Sequence, residues 1–188
     1  MTEDVALGQA LLIRARNAIA QELGLPLQPE PDHPALAASG ATFVTLTSPG
    51  HGSDQLRGCI GTLDAWRSVE EDVRANARAA AFRDPRFMPL RRDEFSRIHV
   101  EVSLLTPPQP FKCRDEDDAI RQLRPHEDGV IFQYKDARST FLPQVWENLP
   151  EPRDFLYQLK CKAGLPGYFW APDVRLYRYE VRKWKETT

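Results

Sequence analysis

Residues 41–62 read ATFVTLTSPGHGSDQLRGCIGT, and the fold class turns on them. ATFVTLTS is rich in β-branched residues, PGHGSD is turn chemistry, and QLRGCIGT resumes an extended pattern, so the stretch predicts a β-hairpin. Further on, IHVEVSLL at 98–105 alternates as a half-buried strand, with Ile98, Val100, Val102 and Leu104 on one face and His99, Glu101 and Ser103 on the other. GVIFQYKDARSTFLP at 129–143 predicts two strands joined at Lys135 to Ala137, and VRLYRYEVRKW at 174–184 one more strand.

Helices fall between these strands. Thr2 with Glu3 and Asp4 supplies a helix start, and Leu7, Leu11, Leu12, Ala15, Ile19 and Leu23 follow at helical period up to Gly24. Ser68 and Glu71 fit a capping box, and Val69, Val73, Ala77 and Ala80 continue one face of a helix that stops before Pro85. Asp115 to Leu123 predicts a short acidic helix. Pro152 opens another, with Phe155, Leu156, Leu159 and Ala163 as its stripe and Gly164 as its cap. Hairpins interleaved with separate helices, rather than regular βαβ units, predict an α+β fold: a mainly antiparallel sheet with flanking helices. Residues 1–188 read as a single domain. The connector carrying Pro26, Pro29, Pro31 and Pro34 is the place where a smaller lobe would be set off.

Composition bounds the function. The 188 residues are 41% hydrophobic and 28% charged, enough for a core without staples. Twenty-five basic against 27 acidic residues leave a net charge of −2, so no global attraction to nucleic acid or an anionic membrane exists. Three dispersed cysteines, Cys59, Cys113 and Cys161, point to a reducing compartment. The acidic start MTEDVALGQ lacks the pattern of a secretory signal, and no apolar run approaches a membrane span. The expected location is the cytoplasm. HExxH, DxDxDG, GxGxxG, GxxxxGK and GxSxG are all missing, so no metal, nucleotide cofactor or standard hydrolase triad is expected.

Candidate chemistry centres on QLRGCIGT. Without a bulge, strand geometry puts Leu56 and Ile60 on one face and Arg57, Cys59 and Gly61 on the other. A guanidinium two residues from a thiol favours thiolate, and Gly61 would leave room for a substrate beside the sulfur. Gly58 equally marks a site for a bulge. The competing reading is that Cys59 is a small buried hydrophobe. None of His33, His51, His99 and His126 reads as its base; His51 lies in the hairpin tip and His99 on a polar strand face. Glu101, and Glu147 after TFLPQVW, are the carboxylates placed to act as acid, base or ligand.

Charge is locally uneven. Residues 74–97 hold seven arginines, at 74, 78, 83, 86, 91, 92 and 97, against Asp84, Asp93 and Glu94. The stretch reads either as an anion-binding surface or as a solvated, salt-bridged face. Within it, DPRFMPL carries Asp84 and Arg86 on a proline-pinned loop, and TFLPQVWE carries Gln144 and Glu147 on another.

Together these motifs resemble one family. LRGCIGTL at 56–63, DPRFMPL at 84–90, EVSLL at 101–105, DGVIF at 128–132, TFLPQVWE at 140–147 and FLYQLKCKAGLP at 155–166 resemble the AMMECR domain, protein A of AmmeMemoRadiSam systems. The resemblance runs over nearly the whole chain, and the proline-rich stretch and the PGHGSD tip depart from it. It implies a main lobe and a smaller lobe forming a cleft to which the RGCIGT strand contributes. It also implies two partners in a shared modification pathway, a Memo-like protein and a radical S-adenosylmethionine enzyme. Its motif positions here are Arg57, Gly58, Cys59, Ile60, Gly61, Thr62, Asp84, Arg86, Glu101, Gln144 and Glu147.

Two functions stay open at this point. One is an enzyme or enzyme component with Cys59 as nucleophile or covalent carrier and Glu101 beside it. Arg57, Gly58, Gly61, Thr62, Asp84, Arg86, Gln144 and Glu147 would then hold a small anionic or peptide-like substrate. The other is a non-catalytic module that binds protein or nucleic acid through the cleft and the arginines of 74–97.

Overall fold

A computed structural model of the chain describes residues 2–50 and 53–186. The chain divides into two compact units, Met1–Leu105 with Arg182–Thr188, and Thr106–Val181. The division does not fall at the proline-rich connector. That segment belongs to the first unit, where it is tied to the opening helix.

In the first unit, α1 (Glu3–Glu22) buries Leu7, Leu11, Ala15 and Ile19 as its spacing predicts. It also buries two polar residues, Arg14 and Asn17, and these hold the connector. Arg14 donates to the Pro31 carbonyl at 2.6 Å; Asn17 donates to the Gln28 carbonyl at 2.8 Å and accepts from the Gln28 amide at 2.9 Å. The connector's backbone groups therefore find partners without regular structure. Thr2 stands at the N-cap with no side-chain bond.

Strands β1 (Ala41–Ser48) and β2 (Gln55–Gly61) form the expected antiparallel hairpin, whose tip residue His51 lies outside the described residues. β3 (His99–Leu105) pairs with the other side of β1. Helix α2 (Val69–Phe82) begins at a complete capping box, Ser68 Oγ accepting from the Glu71 amide and the Glu71 carboxylate accepting from the Ser68 amide. α1 and α2 cover one face of the sheet, burying Val44, Leu46, Val73, Ala77, Val100 and Val102 in a shared core. Each of the buried valine and leucine side chains contributes roughly 1.5–3 kcal/mol.

The second unit holds β4 (Gln109–Phe111), α3 (Glu116–Gln122), β5 (Gly129–Tyr134), β6 (Ala137–Phe141), α4 (Pro152–Lys162) and β7 (Arg175–Tyr179), its sheet ordered β4-β7-β5-β6. Tyr134 pairs with Ala137, so the β5–β6 turn is Lys135-Asp136, with Lys135 at a φ of 51°. Pro152 opens α4 as predicted, and Phe155, Leu156 and Leu159 are buried. The Trp146 ring stacks on Phe155 with centroids 3.7 Å apart, while its Nε1 donates to the Asp128 carbonyl at 2.7 Å. Burial pushes the Tyr179 hydroxyl up to about 12, against a weaker opposing hydrogen bond from Thr140.

The C-terminal pattern does not make one strand. It is divided at Glu180: β7 belongs to the second sheet, and β8 (Val181–Lys185) completes the first, in the order β2-β1-β3-β8. Thr106 exchanges hydrogen bonds with the Glu180 backbone, and Arg124 holds the Glu180 carboxylate at 2.9 Å, so the chain is pinned where its alternation breaks. In the first unit Glu186 accepts from Arg16 Nε at 2.5 Å and from the Val100 amide at 2.8 Å, which fastens the strand's end. Among the described residues the architecture is α+β, with four α-helices and two antiparallel sheets. No described helix is long and apolar enough to cross a membrane.

Candidate functional site

The hairpin register decides which groups stand near Cys59. Cys59 lies opposite Thr45 and Gly58 opposite Leu46, but Leu56, not Arg57, lies opposite Thr47. Arg57 is the extra residue of a β-bulge. Alternation therefore fails at this point: Leu56 joins Cys59's face and is 44% exposed, whereas Ile60 packs on the helix side. The expected pairing of Arg57 with the sulfur on one face is corrected accordingly. The Arg57 guanidinium runs to the segment after α2, donating through Nε to Glu94 at 2.9 Å and through Nη2 to the Met88 carbonyl at 3.0 Å. Its Nη1 is buried with no hydrogen-bond partner. Arg57 holds the Glu94 carboxyl below its ordinary range, with the Arg91 amide assisting.

Asp84 and Arg86 close the edge of β2. Asp84 accepts from the Cys59 amide at 2.9 Å, from the Arg86 amide at 3.1 Å and from Arg86 Nη2 at 2.7 Å, while Arg86 Nη2 also donates to the Cys59 carbonyl at 3.3 Å. An edge strand's free amide and carbonyl are thus satisfied by a turn, which blocks pairing with another chain. Arg86 holds the Asp84 carboxyl far below the usual carboxylate range, and the Cys59 and Arg86 amides add to it.

Both glycines of the motif are packing positions. A Cβ on Gly58 would stand 2.1 Å from the Ala80 carbonyl oxygen, so α2 approaches the strand only because no side chain intervenes. A Cβ on Gly61 would stand 2.1 Å from the Phe43 ring. The space expected beside Gly61 for a substrate is filled by that ring. Thr62 is drawn into a buried network around Asp72, donating to Oδ1 at 2.8 Å. Asp72 also accepts from the Thr42 amide and hydroxyl, each at 2.7 Å, from Arg67 at 2.7 Å and from Asn76 at 2.9 Å.

The helix-free face of the first sheet is different. Cross-strand pairing sets Cys59, Thr45 and Glu101 in one row over β2, β1 and β3. Thr45 Oγ1 donates to Cys59 Sγ at 3.3 Å, and the cysteine is a free, half-buried thiol. Glu101, also half-buried, has no hydrogen bond or ion pair among the described residues. One row along, His99 Nδ1 lies 3.3 Å from Asp54, which also accepts from Lys185 at 2.8 Å. Lys185 and His99 together hold the Asp54 carboxyl below its ordinary range.

Thr45 and the Asp54–His99 contact escaped the sequence reading. Counting pairs outward from the hairpin turn would have placed Thr45 near Cys59 to within the bulge. The contact from hairpin tip to third strand has no local signal. Gln144 and Glu147 are exposed on a 3-10 turn of the second unit (Pro143–Glu147), which buried Trp146 anchors.

Four of the seven arginines of the 74–97 stretch are ion-paired. Arg74 pairs with Glu30 and Glu70, Arg86 with Asp84, and Arg91 and Arg97 with Asp93. Arg78 and Arg92 donate to neutral oxygens of Gln21 and Gly24. Among the described residues, no three His, Cys, Asp or Glu side chains gather as a metal-binding group.

Known proteins resemble this chain over most of its length. The AMMECR1 family model matches residues 12–184. Protein LS215_2104 of Saccharolobus islandicus is 36% identical over 186 residues, covering 96% of this chain and 82% of that protein. Protein MK0488 of Methanopyrus kandleri is 32% identical, covering 95% of this chain and 88% of that one. The crystal structure of the uncharacterized protein PH0010 from Pyrococcus horikoshii is 31% identical and superposes with a TM-score of 0.76, covering 95% and 91% of the two chains. On the family model and on these relatives of nearly full length, the chain belongs to the AMMECR1 family.

Proposed function

We propose that the chain is an enzyme, or a component of one, in which Cys59 is the nucleophile or covalent carrier. A single observation carries this reading: a free thiol on the helix-free sheet face receives a hydroxyl hydrogen bond from Thr45 at 3.3 Å. That donor sits where negative charge develops when the thiol gives up its proton and attacks an electrophilic carbon. Arg86 donates to the Cys59 carbonyl at 3.3 Å and so brings a cation beside this residue. Glu101 is the acid or base nearest in the cross-strand row. Of the two substrate types, a peptide-like one suits this face better than an anion, because Arg57 and Arg86 are already matched by Glu94 and Asp84.

The alternative of a nucleic-acid surface at residues 74–97 loses ground, since four of its seven arginines, Arg74, Arg86, Arg91 and Arg97, are ion-paired. Three free cysteines fit a cytoplasmic setting, where thiols stay reduced. In that setting a Memo-like protein and a radical S-adenosylmethionine enzyme are the proposed pathway partners, to be sought by co-purification with each.

Site-resolved iodoacetamide labelling at pH 7 tests the nucleophile. Cys59 is expected to react well ahead of Cys113, whose thiol is pushed up by burial and by Asp118 and Asp115. Labelling of Cys59 no faster than Cys113 would overturn the reading.

A further inference from the structure

We infer that the substrate offered to Cys59 carries a cationic amino group, and that Glu101 reads it. The inference rests on the nucleophile reading above and adds the charge of the ligand. It follows from the partners of the charged groups that neighbour Cys59 and Glu101. Arg57 is matched by Glu94, Arg86 by Asp84 and Lys185 by Asp54. Glu101 is left over: no hydrogen bond or ion pair holds it among the described residues, although it is half-buried. Lys185 feels its field, yet the lysine's pKa is raised first by the Asp54 hydrogen bond and only lastly by Glu101.

A ligand's ammonium would give this carboxylate the charged partner that the described residues do not supply. Two strand spacings separate Glu101 from Cys59 in their shared row, about 10 Å between Cα atoms. An extended ligand with its ammonium two or three residues from the reacting carbon spans that distance. An aminoacyl or short peptidyl electrophile with a free amino end has this shape and charge. Cys59 would take its acyl carbon, forming a carbon–sulfur bond as the leaving group departs with the bonding pair and the thiol proton passes to solvent.

Methanethiosulfonates of matched size read the local charge directly. The Cys59 thiolate attacks the reagent's sulfenyl sulfur, forms a mixed disulfide and expels methanesulfinate. The rate for the trimethylammonium-ethyl reagent is divided by that for the sulfonato-ethyl reagent, and the ratio is referred to uncharged N-acetylcysteine amide. The Cys59 ratio is expected to exceed the reference roughly three- to tenfold at low salt. Glu101→Gln should bring it back towards the reference, the ratio cancelling any change in the sulfur's intrinsic reactivity. Lys185→Gln, which removes a positive neighbour without touching Glu101, should raise it. A ratio at or below the reference, or one that Glu101→Gln leaves intact, overturns the inference alone, provided the neutral reagent still modifies Cys59. No reaction with the neutral reagent overturns the nucleophile reading as well.

Discussion

Asp84 and Glu101 flank the same three-stranded row, yet their carboxylates live in opposite conditions. Asp84 is buried and accepts from Cys59 and Arg86, closing the edge of β2. Glu101, two strands away, accepts from nothing described. A motif-borne carboxylate is thus either committed to holding the strand or left available to a ligand, and only the three-dimensional hydrogen-bond pattern separates the two.

The largest test of this comparison is at Asp72, the most heavily committed carboxylate. Asp72→Ala strands the buried Thr42 amide and the Arg67 charge, and it should cost roughly 3–5 kcal/mol in urea unfolding. A loss under 1 kcal/mol would break the claim that such networks carry stability. Asp84→Asn should cost about 2–3 kcal/mol, because the bidentate partner of Arg86 loses its charge.

Acid sharpens the same contrast. The carboxyls of Asp84 and Glu94 lie below their unfolded values of about 3.9 and 4.3, so their stabilisation is fully present above that range and is lost as pH falls through the folded values. The urea midpoint of the wild type should fall steeply below about pH 4, and that of Asp84→Asn less steeply. Equal slopes would contradict the assignment. Gly58→Ala, forced against the Ala80 carbonyl, should cost about 1–3 kcal/mol. At the small end, Glu101→Gln should leave stability within about 0.5 kcal/mol, as expected of a side chain that holds nothing together.

Much of the fold was legible because its signals are local. The β-branched hairpin, the Ser68–Glu71 box and the stripe of α4 each declare themselves within a few residues, and each forms as predicted. Non-local contacts were not legible. The bulge is one of two readings that the sequence leaves open at Gly58, and what decides it, α2 pressing against Gly58 and Glu94 drawing the Arg57 guanidinium away, comes from residues far along the chain. The division at Glu180 depends on Thr106 and Arg124, residues more than fifty positions earlier. At the candidate site, Cys59 and Glu101 are singled out by residue type and strand face, and the pairing sets them in one row. Thr45, which gives the thiol its donor, carries no signature of its own: threonine is ordinary in a strand, and its role appears only with the register.

The most direct measurement is the alkylation rate of Cys59 at pH 7 in the wild type and in Thr45→Val, which keeps the side chain's shape and removes its hydroxyl. A several-fold fall at Cys59, with Cys113 unchanged, is the predicted result. Equal rates in the two proteins would mean that the Thr45 hydroxyl does not assist the sulfur, and would contradict the account.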